Sequence, residues 1–136
     1  MKTKTIKQTV AFPASAHEIY EMLMDSKKHA AFTGDAAEIS RKEGGKFSAW
    51  GGYIEGKNLA LLPDKKIVQS WRGSDWPEGH YSRVSYELEM SGNVTRLSFE
   101  QTGVPEELYE DVFQGWQDYY WSPMKGVLET RKKGKR

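Results

Sequence analysis

The sequence contains no cysteine. Disulfides and thiolate metal sites are therefore excluded, and a reducing compartment suits such a chain. No apolar run approaches the roughly 20 residues of a membrane-spanning helix. The opening Met1-Lys2-Thr3-Lys4-Thr5 is too polar for a secretory signal. The expected location is the cytoplasm, with no membrane partner. Histidine is scarce. His17, His29 and His80 are scattered, and no two have the i, i+4 spacing of a helical metal site. A Gly-rich phosphate loop is missing too, because the pairs Gly44-Gly45 and Gly51-Gly52 fall between strand patterns, not before helices. No metal or cofactor is expected.

A strong charge of one sign is also lacking, since the net charge is +1. The distribution is uneven. Arg131 to Arg136 hold five of the 20 bases, which leaves 15 bases against 19 acids in residues 1–130, a body near −4. A mildly acidic body argues against a nucleic-acid partner. The basic end reads as a frayed, solvated tail over 131–136. The remaining residues 1–130 have a length that suits one domain with one core.

Aromatic residues, in contrast, are plentiful at 12%, with five Trp and seven Tyr. That exceeds what closing a core of this size requires, so some rings are expected at a cavity or an interface. Residues 4–12 alternate, with Ile6, Gln8, Val10 and Phe12 on one face of a half-buried strand. Pro13 ends it. Ser15-Ala16-His17-Glu18 reads as a capping box opening a helix. A short second helix follows over 26–31, broken at Thr33-Gly34-Asp35. From 36 to 102 the pattern is strands and turns: 36–41, 46–50, 53–62, 66–72, 82–90 and 94–102. Gly51-Gly52 suits a two-residue hairpin, and Gly56 marks a bulge or a close backbone approach. Val84, Tyr86, Leu88 and Met90 point inward. Glu87, Glu89 and Arg96 form an outward charge set, a solvated face and not a paired-carboxylate site.

The last element is an amphipathic helix over 105–130, with Pro105 in its first turn and a kink at Pro123. At 100° per residue, Tyr109, Val112, Phe113, Tyr119, Tyr120, Pro123, Met124 and Val127 cluster around Trp116. The fold class is therefore α+β, a helix-grip arrangement. A curved antiparallel sheet of about seven strands wraps on one long C-terminal helix, with two short helices after the first strand.

Two sets of site candidates emerge. Trp71, Tyr86, Phe99, Phe113, Trp116 and Tyr120 converge from sheet and helix, either as plain core or as the lining of a hydrophobic ligand cavity. Around the 73–81 connection, Trp76 either plugs one end of the barrel or joins Arg72 and His80 in a contact surface for a ligand or a partner protein. The inward polar residues Gln8, Gln69 and Gln101 are amides, poor acid–base catalysts. No nucleophile–base pair is apparent, so catalysis is not expected.

Several segments together carry a resemblance. They are Gly45-Lys46-Phe47, Gly52-Tyr53-Ile54-Glu55-Gly56, Leu61-Leu62-Pro63, Ile67 to Arg72, Trp76 to Ser82, Gln101 to Pro105, and Gly115 to Trp121. Over about residues 5–130 the chain resembles the activator of heat-shock protein 90 ATPase family, within the START-like, birch-pollen-allergen-like superfamily. The resemblance implies a helix-grip fold and a binding domain of the kind that forms the C-terminal half of eukaryotic activators. There it docks on the chaperone, and a separate N-terminal domain supplies much of the ATPase stimulation. The implied partner is a heat-shock protein 90-type chaperone. Superfamily members that hold lipids, hormones or polyketides imply the alternative, a carrier or sensor of a hydrophobic small molecule. A few members are enzymes, which leaves a cyclase- or hydrolase-like activity as a third reading.

Overall fold

The computed structural model describes the backbone of residues 1–134 and the side chains of residues 1–130. The expectation for a basic tail falls, in its side chains and its last two residues, outside the described part. Strand β1 (Thr3–Phe12) alternates as the sequence predicts, with Ile6 and Phe12 buried. Ser15 then caps helix α1 (Ala16–Met24), its Oγ accepting from the Glu18 N–H at 3.1 Å. Asp25 ends α1 and starts helix α2 (Ser26–Thr33), its carboxylate accepting from the Lys28 N–H. Gly34, at φ 78°, stops α2.

The meander follows as β2 (Glu38–Ile39), β3 (Lys46–Ala49), β4 (Ile54–Leu62), β5 (Lys66–Gly73), β6 (Ser82–Ser91) and β7 (Val94–Pro105). All neighbours are antiparallel, in the order β1-β7-β6-β5-β4-β3-β2. The first strand in the chain thus closes on the last. β2 is shorter than the expected 36–41. The Ile39 N–H donates to Ser26 Oγ, and Asn58 Nδ2 takes the carbonyls of Ser40 and Lys42 at 2.7 and 3.0 Å. Those backbone groups are therefore held by side chains. Gly56 makes the close approach its position implied, since a Cβ there would lie 1.8 Å from the Ser70 carbonyl oxygen. The ladder slips farther on, between Asn58 and Ala60, and Leu59 is exposed.

Three expectations are corrected. The β3–β4 connection is not a two-residue hairpin. Ala49 pairs with Ile54, and Trp50, Gly51 and Gly52 take φ of 55°, 65° and 96° in succession. Left-handed backbone is easy for the glycines and costly for a tryptophan. The Trp50 ring gains edge contacts with Tyr119 and Tyr120, at 5.4 and 6.4 Å between centroids. Met90, placed inward by alternation, is exposed because it sits at the β6–β7 tip opposite Thr95, beyond the last covered position, Leu88.

The third correction concerns the helix. β7 runs on to Pro105, so this proline ends a strand. A single 3₁₀ turn (Glu106–Leu108) leads into helix α3 (Tyr109–Trp116), a π-helical turn (Gln117–Trp121) and helix α4 (Ser122–Gly134). Pro123 cannot donate to the carbonyl four residues back. A wide turn lies immediately before it, and Ser122 N–H bonds five residues back to Gln117. One extra residue in a turn rotates all that follows by roughly 100°. Tyr119, predicted inward, is consequently 57% exposed and Val127 is exposed, whereas Trp121 and Leu128 are buried.

Candidate functional site

Where the helix crosses the sheet, the interior is tied by side-chain hydrogen bonds. Trp116 Nε1–H donates to Gln101 Oε1 at 2.8 Å. Gln101 Nε2–H donates to Ser82 Oγ at 2.9 Å, and the Ser82 hydroxyl donates to the Trp71 carbonyl at 2.7 Å. Gln8 spans the π turn. Its Nε2–H donates to the Phe113 carbonyl at 2.9 Å, and its Oε1 accepts from Trp121 Nε1–H at 2.7 Å. The Gln117 N–H, which an α-helix would direct to Phe113, bonds to Gln114. Gln8 thus takes up a carbonyl that the irregular turn sets free. Gln69 donates to Asn58 Oδ1 at 3.0 Å. All three amides point inward as predicted, and each is used to hold elements together.

Next to this network, between α3 and the β4–β5 end of the sheet, lies a cleft of about 430 Å³. Its floor is formed by the buried rings of Trp71, Trp76, Trp116 and Tyr120. Trp50, Tyr53 and Tyr119 stand around the mouth, together with the exposed carboxylates Asp35, Asp75 and Asp111. No lysine, arginine or histidine lines it among the described residues. The Tyr53 hydroxyl donates to Asp75. Burial, followed by this bond to a carboxylate, pushes the Tyr53 phenol up to about 12. Tyr120 is also raised, chiefly by burial. Neither phenol is prepared to ionise near neutral pH. A larger hollow of about 1030 Å³ lies outside β3–β5 against Ser48, Glu55, Lys57 and Ser70. It is an open trough in which Phe47 and Tyr81 are the aromatic residues among mostly polar neighbours.

The predicted cavity residues divide. Trp71, Trp116 and Tyr120 line the cleft. Tyr86 and Phe99 pack beneath it, with centroids 5.4 Å apart, as plain core. Phe113 lies against Tyr109, off the cleft. Trp50, Tyr53, Tyr119 and the three aspartates were missed. Trp50 and Tyr53 flank a Gly-Gly pair, and a ring beside such a turn was the available signal. Tyr119 could not be placed without the π turn.

The second set of candidates sits at one end of the cleft. Trp76 is only 5% exposed and meets Trp71 edge-on at 5.4 Å. The ring is packed against its neighbours and also lines the cleft. Arg72 clamps the loop from outside, donating to the carbonyls of Trp76, Pro77 and His80 at 2.8, 3.4 and 3.3 Å. His80 Nε2 pairs with the Gly103 carbonyl at 2.7 Å and ties the loop to β7. The guanidinium also lies 5.8 Å from the Tyr81 ring, and the Tyr81 hydroxyl donates to Glu55. Tyr53 and Tyr81 are exposed on either side of this clamp.

His29 is the one histidine in the core. Burial lowers it to about 4, and the backbone of Leu23 and Met22 offsets this only in part. Its Nδ1 makes no well-formed hydrogen bond, and its Nε2 lies 3.4 Å from the Tyr120 hydroxyl. Among the described residues there is no group of His, Asp and Glu that could hold a metal ion, and no helix is long and apolar enough to cross a membrane.

Comparison with known proteins agrees with this architecture. Residues 13–129 match the family model for "Activator of Hsp90 ATPase homolog 1-like protein". An activator of 90 kDa heat shock protein ATPase homolog from Dictyostelium discoideum is 37% identical over 116 residues, 85% of this chain and 30% of that protein. The human activator homolog 1 is 35% identical over 121 residues, 89% of this chain and 35% of the relative. The chain thus spans about a third of the length of these curated relatives. Among solved structures, an HSP90 activator from Plasmodium falciparum superposes with a TM-score of 0.87 at 25% identity, covering 92% of this chain and 96% of the other. The strand order, the C-terminal helix and the family match over 13–129 lead to one conclusion: the chain belongs to the family of activator of Hsp90 ATPase homolog 1-like proteins.

Proposed function

We propose that this domain is a non-catalytic, cytoplasmic binding module that contacts a heat-shock protein 90-type chaperone. The contact runs through the outer edge of the 73–81 loop and the adjoining strand surface. The observation that carries this reading is the use of the inward polar groups. Gln8, Gln69 and Gln101 are all bonded within the protein, so none of the three is free to take part in turnover. The names of the relatives supply the partner class. Tyr53, Tyr81 and Arg72 provide exposed rings and a planar cation above a loop held rigid by Trp76 and His80. The mildly acidic body suits a basic face on the partner. Binding, not stimulation of the ATPase, is the activity proposed for this part of the relatives' length.

The test is an NMR titration with the chaperone of the same cell. Amides of 73–81 and of Tyr53 and Tyr81 should shift. Tyr81→Ala should weaken binding about tenfold, the scale of an interface anchor, and removing 131–136 should leave it intact. Loss of binding on removing the tail, with Tyr81→Ala silent, overturns the surface assigned here.

The cleft favours a second reading alongside the first, a small apolar molecule held between sheet and helix. Its volume and ring-lined floor suit a modest ligand. Such a ligand should raise the melting temperature by mass action.

A further inference from the structure

The cleft between α3 and the β4–β5 end of the sheet has a polarity. Its floor is apolar and buried, while its mouth carries Asp35, Asp75 and Asp111. None of the three forms an ion pair among the described residues. Asp35 accepts from the Ala36 N–H and Asp75 from the Tyr53 hydroxyl, which orients both without neutralising them. Rings stand among these carboxylates, and the faces of Trp and Tyr attract cations. A second, independent feature lies on the floor. Trp71, Trp76 and Trp116 are each less than a tenth exposed yet line the cleft, so its base is made of indole rings.

We propose that the cleft is a site for an amphiphilic organic cation. Its apolar body lies on Trp71, Trp76 and Trp116, and its ammonium group sits at the mouth among Asp35, Asp75 and Asp111. This rests on the small-molecule reading above and narrows it, because a fatty acid of the same length would place its carboxylate against three others. Among the described residues, the mouth contains no cation to receive it. The ligand class is therefore set by charge, and the floor alone would not distinguish the two.

Three probes share one acyl chain: octanoylcholine, its uncharged 3,3-dimethylbutyl ester isostere and octanoate. Each is titrated into ¹⁵N-labelled full-length protein while the five indole N–H resonances are followed. Octanoylcholine should bind about tenfold more tightly than the isostere, the scale of a cation among rings and exposed carboxylates. Octanoate should bind least. The Trp71 and Trp116 resonances should move, and that of Trp121, bonded to Gln8 away from the cleft, should not. The double variant Asp35→Asn, Asp111→Asn keeps the shape of the mouth. It should lower affinity for octanoylcholine about tenfold and leave the isostere unaffected. Equal binding of ester and choline ester, or tighter binding of octanoate, overturns the cation assignment and leaves the cleft reading standing. Failure of all three probes to move the cleft indoles overturns both.

Discussion

Trp116 is the residue on which the interior depends most. It is almost fully buried and lies within 4.3 to 6.1 Å, centroid to centroid, of Trp71, Tyr86, Phe99, Tyr120 and Trp121. Trp116→Ala should cost roughly 3–5 kcal/mol in denaturant melts, the usual range for truncating a buried large ring. A cost below about 1 kcal/mol would show that the ring cluster does not support the fold. Its hydrogen bond can be tested separately. Gln101→Leu leaves the Trp116 indole N–H buried without an acceptor, a loss of about 2 kcal/mol. Pairing it with Trp116→Phe removes donor and acceptor together, so the double variant should lose less than the sum of the singles. Strict additivity would mean that the bond adds nothing to the packing.

At the scale of elements, the C-terminal helix separates two phases that predict different surfaces. A continuous α-helix from 105 puts Tyr119 and Val127 inward. The observed helix, with its π turn at Gln117–Trp121, puts Trp121 and Leu128 there instead. Tyr119→Ala and Val127→Ala should therefore each change stability by less than about 1 kcal/mol, while Trp121→Ala and Leu128→Ala should cost roughly 3–5 and 2–5 kcal/mol. The reverse order in urea melts would restore the regular phase. This is also where the sequence stops being legible. Strand alternation from Ile6 to Phe12 and from Val84 to Leu88 identified buried faces correctly, because a period of two is fixed by the backbone. The Ser15 cap was readable for a similar local reason. The π turn depends on Gln8, more than 100 residues away in the chain, accepting one indole proton and donating to one freed carbonyl. A window along the helix holds no trace of that. The cleft mouth was hidden for the same reason, since Asp35, Asp75 and Asp111 meet only once the sheet has curled.

For the molecule as a whole, the surface carboxylates and lysines are largely exposed, so their effect on stability is modest and screened by salt. A strongly shifted group whose ordinary pKa lies near physiological pH is buried. His29 lies among Phe32 and Tyr120, with centroids at 4.8 and 5.5 Å, and the Tyr120 hydroxyl is the polar group that faces its Nε2. Its folded pKa is lowered from 6.5 to about 4. The unfolded chain therefore binds a proton first as pH falls through 6.5, while the folded chain stays neutral until about 4. This group leaves stability untouched above its unfolded pKa and removes it progressively below, by on the order of 3 kcal/mol once the folded pKa is reached. Between about pH 7 and about pH 5, wild-type protein should lose about 2 kcal/mol more than His29→Leu, measured as the shift of the urea midpoint at constant slope. The other titratable groups are common to both proteins, so they cancel in the difference. Parallel losses for the two proteins across that window would mean that His29 takes up its proton in the folded state, and that the core around Tyr120 admits water.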